Sequence, residues 1–269
     1  MSRNKKGSSR GTQSQQSSGV NREARRGGKR NKQSVVNERW EKKEIKGRQV
    51  RDEEHTYVKP AVEPMNQVQA EFLYGMRSKP VTIFIAPAGV GKSYLAASEA
   101  MDWLKSGEFD KVLLTRPAIG MGATLGLLKG GLREKYEPYL YPLVDVIKKR
   151  YGAGFYENAL SNGSIEFMPL EYIRGKSIDD VVIVDELQNL TPDELYTTIT
   201  RMGEGCLILL GDPTQRDLRG ECCIEWIKSF IDRHDMHDIV EIVEATSDDI
   251  VRSGLCQRMV KGREKDTQD

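Results

Sequence analysis

A short, mostly apolar run, VTIFIA (Val81–Ala86), leads directly into PAGVGKS and then into KSYLAASEAMDWL (Lys92–Leu104), whose apolar residues fall at helical spacing. A short apolar run closed by turn residues and followed by an amphipathic segment reads as strand, loop, helix. This unit constrains the fold strongly, because a strand apolar on both faces must be covered on both faces. Similar runs follow in KVLLT (Lys111–Thr115), SIEFM (Ser164–Met168), DVVIVD (Asp180–Asp185), CLILLG (Cys206–Gly211) and IVEIV (Ile239–Val243). Helical stretches are expected in NQVQAEFLYGM before the first strand, near Arg133–Arg150, over Pro192–Met202 and over Glu221–Arg233. The alternation predicts an α/β fold: one domain over residues 60–262, a mostly parallel sheet with helices on both faces. No internal repeat interrupts it.

The loop carries specific chemistry. It resembles the phosphate-binding pattern G-x-x-x-x-G-K-[ST], with Ala86 in place of the first glycine. Gly89 and Gly91 let successive backbone N–H groups turn inward onto phosphates. Lys92 supplies a cation for the outer phosphates, the Ser93 hydroxyl can ligate magnesium, and the following helix adds its positive N-terminus. The cradle is expected to comprise Ala86, Pro87, Ala88, Gly89, Val90, Gly91, Lys92, Ser93 and Tyr94. Ala86 falls where strand becomes loop, and only a positive φ or close backbone packing would exclude it.

Two further strands end in polar residues. VVIVDELQNL places Asp185 and Glu186 at the end of an apolar run, as a Walker B motif does. Asp185 is expected to hold magnesium with Ser93, and Glu186 to activate water, which favours hydrolysis of ATP over simple binding. LILLGDPTQRDL ends another strand at Gly211 and Asp212, with Gln215 able to sense the γ-phosphate by a neutral hydrogen bond. In a parallel sheet these strand ends meet on one side. Taken together they indicate a P-loop NTPase domain of the RecA-like type, using ATP and Mg2+, with Lys92, Asp185, Glu186 and Gln215 as catalytic candidates.

APAGVGKSYLA, TRPA, GGLREKYEPYLYPL, EYIRGKSIDDVVIVDELQNLTPDEL, TRMGEGCLILLGDPTQRDL and DDIVRSGLCQRMV follow one another along residues 65–262. In this order they resemble the consecutive blocks of the PhoH-like ATPases, relatives of the superfamily-one helicases; the short chain resembles phage-encoded members. Ala86 departs from that family's usual glycine. The resemblance implies that Gln69, seventeen positions before Ala86, reads adenine. It places Arg116 and Pro117 near a nucleic-acid path, and EYIRG (Glu171–Gly175) in a block before the acid pair. It makes Arg252 and Arg258 candidates for a γ-phosphate contact, against the alternative of surface arginines on a helix. RNA or single-stranded nucleic acid is the implied partner. Related helicases clamp ATP between two such domains, whereas one is expected here, so a homo-oligomer (a ring, such as a hexamer) would supply an arginine in trans. A nuclease domain, carried by some family members, is not expected, since residues 1–50 hold only Glu23, Glu38, Glu41 and Glu44 as acids. A phosphotransferase acting on a small molecule and a nucleotide-regulated binding module stand as alternatives.

The net charge of +1 conceals an asymmetry: residues 1–50 hold 15 Lys and Arg against 4 acids, leaving the rest at −10. The first part, rich in Ser, Gln, Asn, Gly and Arg, lacks the apolar groups that offset ordering entropy. Residues 1–55 are expected to be a disordered basic tail and charged linker, suited to attracting phosphate backbones or to solubility alone. Residues 263–269 are expected to be a polar tail. No apolar run reaches the ~18 residues of a membrane span and no export signal is apparent, so a cytoplasmic location is expected. Cys206, Cys222, Cys223 and Cys256 show no disulfide or zinc spacing, and His234 and His237 have no partner cluster for metal.

Overall fold

The computed structural model describes residues 60–117 and 131–266. The basic tail and linker expected over residues 1–55 lie outside the described residues, as do residues 118–130 and 267–269.

Six strands, β1 (Val81–Ile85), β2 (Val112–Thr115), β3 (Ile165–Phe167), β4 (Val181–Val184), β5 (Cys206–Gly211) and β6 (Val240–Glu244), form one sheet ordered β3-β2-β4-β5-β1-β6. Every neighbouring pair is parallel. The period of two along each strand sorts its side chains between two cores. Phe84, Val112, Leu114, Val181, Ile183, Ile208 and Leu210 enter one core with α1 (Gln67–Ser78) and α2 (Lys92–Ser106). Ile83, Ile85, Leu113, Val182, Val184, Leu207 and Leu209 enter the other, with α6 (Pro192–Thr200) and α7 (Cys223–His234). Helices therefore cover both faces. β5 lies between the strand of the glycine loop and the strand of the acid pair, the arrangement of a RecA-like P-loop NTPase domain.

Local chemistry sets the element ends. Thr191 and Glu194 form a reciprocal capping box with Pro192 inside it, which starts α6 sharply. The stretch expected as one helix near 133–150 is instead α3 (Leu132–Tyr136), a 3-10 turn (Glu137–Leu140) and α4 (Tyr141–Tyr151). Pro138 and Pro142 have no N–H to give a continuing helix, and each restarts one. Gly152, at φ 93°, then turns the chain into α5 (Ala153–Ser161), a helix the spacing does not suggest. Helix α8 (Gly254–Asp266) continues into the segment expected as a polar tail from residue 263.

At Gly205, just before β5, a Cβ would sit 2.2 Å from the Asp180 carbonyl oxygen and 3.0 Å from the Asp179 carbonyl carbon, both backbone. Gly154 in α5 has open space around the same position. Gly205→Ala is therefore expected to destabilise by about 2–3 kcal/mol, as overpacking does. Gly154→Ala should be neutral or stabilising by up to ~1 kcal/mol. Urea denaturation of the two variants checks the contrast.

Candidate functional site

The C-terminal ends of β1, β4 and β5 open onto a cavity of about 770 Å³. Its floor is the glycine loop. Gly89 and Gly91 have φ of 93° and 103°, the left-handed region. Helix α2 begins at Gly91 with no side-chain cap, so its first N–H groups stay available to an anion. Ala88, Gly89, Gly91, Lys92, Ser93 and Tyr94 line the cavity. Ala86, Pro87 and Val90 do not: they are buried beneath it and contribute backbone only. Ala86 is not among the positive-φ residues, and its N–H donates to the Gly211 carbonyl at 2.9 Å, so nothing there demands glycine. Lys92 Nζ donates to the Ala86 and Pro87 carbonyls, the latter at 3.1 Å, and so lies over the loop.

The acid pair is less simply built. Asp185 is buried, and its N–H donates to the Thr115 carbonyl at 3.0 Å, continuing the ladder to β2. Glu186 adopts φ 60°, ψ 45°, a left-handed conformation that costs a non-glycine residue on the order of 1–3 kcal/mol. Its carboxylate lies 3.5 Å from the Arg116 guanidinium and accepts from Gln188 Nε2. Gln188, fully buried, also accepts from the Asp212 N–H at 2.9 Å and donates to the Gln215 carbonyl at 3.3 Å. Asp212 accepts from Thr214 and, at 2.6 Å, from Gln215 Nε2, which aims the Gln215 side chain. Asn189 and Asp217 tie the same two loops together.

Other expected residues divide. Gln69 lines the cavity, but its amide donates to the Val90 carbonyl at 2.7 Å and accepts from the Met65 N–H at 2.7 Å. It braces the loop, with one donor hydrogen and one lone pair left for a base. Arg252 lines the cavity of its own chain beside Gly89, whereas Arg258 is not a lining residue. Arg116 stands at the end of β2, its backbone clamped by Tyr136: the phenol accepts from Arg116 N–H at 2.8 Å and donates to the Arg116 carbonyl at 2.6 Å. Gln188 and Tyr136 are residues that sequence reasoning misses, and Asp212, read there only as part of the polar loop, proves to aim Gln215. The one available signal is polar residues placed directly after buried strands. His237 pairs with Asp232 and His234 rests on Phe230, away from the cavity.

Burial pushes the Asp185 carboxyl up to about 6, with the neighbouring Glu186 charge adding to it and Arg116 and Lys92 opposing. Burial also lowers Lys92, against the pull of Asp212, Asp185 and Glu186. A desolvated carboxylate and the Ser93 hydroxyl on one cavity are hard oxygen donors suited to magnesium that keeps water and phosphate as its other ligands. Among the described residues no group of three or more His, Cys, Asp or Glu could hold a metal ion. In the metal-free protein Asp185 keeps its proton to about pH 6, against 3.8 for an ordinary aspartate. The folded state thus holds the extra proton between those values, and stability falls as pH rises through them. Asp185→Asn should stabilise the chelator-treated protein at pH 7.5 by on the order of 2 kcal/mol, a gain that fades below about pH 4; denaturation series at both pH values measure it.

The sequence profile of the family described as PhoH-like protein matches residues 61–263. A PhoH-like protein of Bacillus subtilis (strain 168) is 38% identical over 205 residues, which are 73% of this chain and 62% of that protein. Protein PhoH of Escherichia coli (strain K12) is 36% identical over 198 residues, 72% of this chain and 55% of that one. The chain thus spans little more than half the length of these relatives. Among solved structures, the large terminase from a thermophilic bacteriophage is similar at a TM-score of 0.47 and 14% identity, covering 76% of this chain and 50% of that one. With the family profile matched along nearly all of the described core, and with relatives above one-third identity, the chain belongs to the PhoH-like protein family.

Proposed function

We propose that the chain binds ATP with magnesium in this cavity and hydrolyses it to act on RNA or another single-stranded nucleic acid, as a cytoplasmic homo-oligomer. The observation that carries the reading is the convergence of Lys92, Ser93, Asp185, Glu186 and Gln215 on one cavity at the C-terminal edge of a parallel sheet. The loop N–H groups and the uncapped start of α2 bind the phosphates, and Lys92 exchanges its carbonyl partners for phosphate oxygens. Ser93 and Asp185 would hold magnesium, which would offset the charge of the phosphates. Glu186 accepts the proton of the attacking water, and Gln215, fixed by Asp212, reports the outer phosphate. The excess of 11 positive charges in residues 1–50 supports a polyanionic partner.

The oligomer is supported by α8. Leu255 and Met259, one turn apart, are 73% and 68% exposed beside Arg258, an apolar pair that a second copy would cover. Since Arg252 serves its own chain's cavity, Arg258 is the candidate for an arginine in trans.

Lys92→Ala should remove hydrolysis and sharply weaken ATP binding while the fold persists. Glu186→Gln should retain binding and lose about 10²–10⁴-fold in turnover. Single-turnover hydrolysis and fluorescent-nucleotide titration separate the two, and unchanged turnover in folded Lys92→Ala would exclude the site.

Light scattering should show an oligomer. Mixing Lys92→Ala with Arg258→Ala subunits should restore part of the activity, because some interfaces then join an intact lysine to an intact arginine. A monomer with a concentration-independent specific rate would exclude the shared site.

A further inference from the structure

Glu186 is expected to take a proton from water, yet its carboxylate is held from two sides. Arg116 stands 3.5 Å from one oxygen and Gln188 Nε2 donates to the other. Glu186 lines the cavity and Arg116 does not, and the ion pair draws the carboxylate's charge away from the water it should activate. The pair is long for an ion pair, and the Arg116 side chain is 29% exposed. Its backbone, by contrast, is fixed by both hydrogen bonds to Tyr136. The guanidinium also donates from Nη1 to the Tyr139 carbonyl at 3.1 Å, so one edge is anchored while the edge toward Glu186, weakly paired and partly open to solvent, is positioned to change partners.

The surroundings indicate the competing anion. Arg116 ends β2, and the strand hydrogen-bonded beside β2 is β3. In the turn after β3, Tyr172 is 59% exposed. A cation and an exposed aromatic on the ends of adjacent strands suit a single strand, phosphate to the arginine and base to the ring. A phosphate accepts a bidentate, charge-assisted pair from arginine, which outcompetes a single contact at this distance.

We propose that Arg116 is a positioning residue that couples nucleic-acid binding to hydrolysis. Without nucleic acid it restrains Glu186; a backbone phosphate of a single strand takes the guanidinium and releases the carboxylate to water. The inference rests on the proposed function.

The test compares the full-length protein with Arg116→Ala and Arg116→Lys, after a fluorescent ATP analogue has shown that each variant retains nucleotide binding. Steady-state hydrolysis is measured with and without poly(U), and binding of a labelled oligo(dT) is measured across a salt series. Arg116→Ala should hydrolyse ATP about fivefold faster than wild type without polynucleotide, the scale of one partly exposed ion pair. It should also respond little to poly(U), and its oligo(dT) salt slope should be shallower by about one. Arg116→Lys should fall between, because an ammonium pairs with either anion but not in bidentate fashion. A basal rate in Arg116→Ala at or below wild type overturns the restraint. A raised basal rate with poly(U) response and oligo(dT) binding unchanged overturns nucleic acid as the competing anion. Absence of hydrolysis in every protein under every condition overturns the proposed function itself, and the coupling with it.

Discussion

The Ala86 N–H bond to the Gly211 carbonyl closes the ladder between β1 and β5 at the edge where both strands become loops. It joins the phosphate loop to the segment carrying Asp212 and Gln215. One strand further on, the β4 register sets Val184 against Leu209, so Asp185 falls opposite Leu210, one residue short of Gly211. The site depends on this alignment, because the candidate groups come from loops far apart along the chain and share no local structure. Strands buried on both faces cannot slip by one residue without moving every apolar side chain to the wrong core. The two-sided core therefore holds the acidic and basic groups in register.

Above that edge, buried amides do the tying. Gln188 reaches the Glu186 carboxylate, the Asp212 N–H and the Gln215 carbonyl, and Asn189 reaches Asp217. A buried carboxamide with partners on two loops makes their relative position costly to change, since any shift leaves a desolvated polar group unpaired. The left-handed backbone at Glu186 is held within this web.

What is readable in the sequence follows from the range of the interactions. The six strands and the Gly-Lys-Ser turn are written in neighbouring residues, so runs and spacing reveal them. The break at Pro138 is equally local, but helical spacing on either side of it conceals the restart. Tyr136 reads as one more apolar residue of an amphipathic stretch; only the folded chain brings its hydroxyl to Arg116, twenty residues away. Of the cradle expected from the motif, Ala86, Pro87 and Val90 are buried beneath the cavity and offer it backbone alone, a distinction that a sequence motif does not carry. Arg252, a candidate for service to a neighbouring copy by its place late in the chain, is put by proximity in space at its own loop.

Gly89 has one more role, a mechanical one. A Cβ there would come within 3.0 Å of Cys256 Sγ, 3.2 Å of Arg252 and 3.2 Å of Ile250, and the Gly89 carbonyl accepts from the Val251 N–H at 3.2 Å. The back of the phosphate loop and the start of α8 are therefore in direct contact, with no compliant layer between them. α8 buries no residue fully, but Cys256 and Val260 pack on the core beneath the loop, Lys261 pairs with Asp248 at 2.6 Å and Arg263 donates to the Thr214 carbonyl at 3.5 Å. A helix seated on both the phosphate loop and the segment that carries Gln215 acts as a strap: the exposed face of α8 and the phosphate-binding backbone are separated by a single layer of atoms, so whatever docks on that face bears directly on the loop.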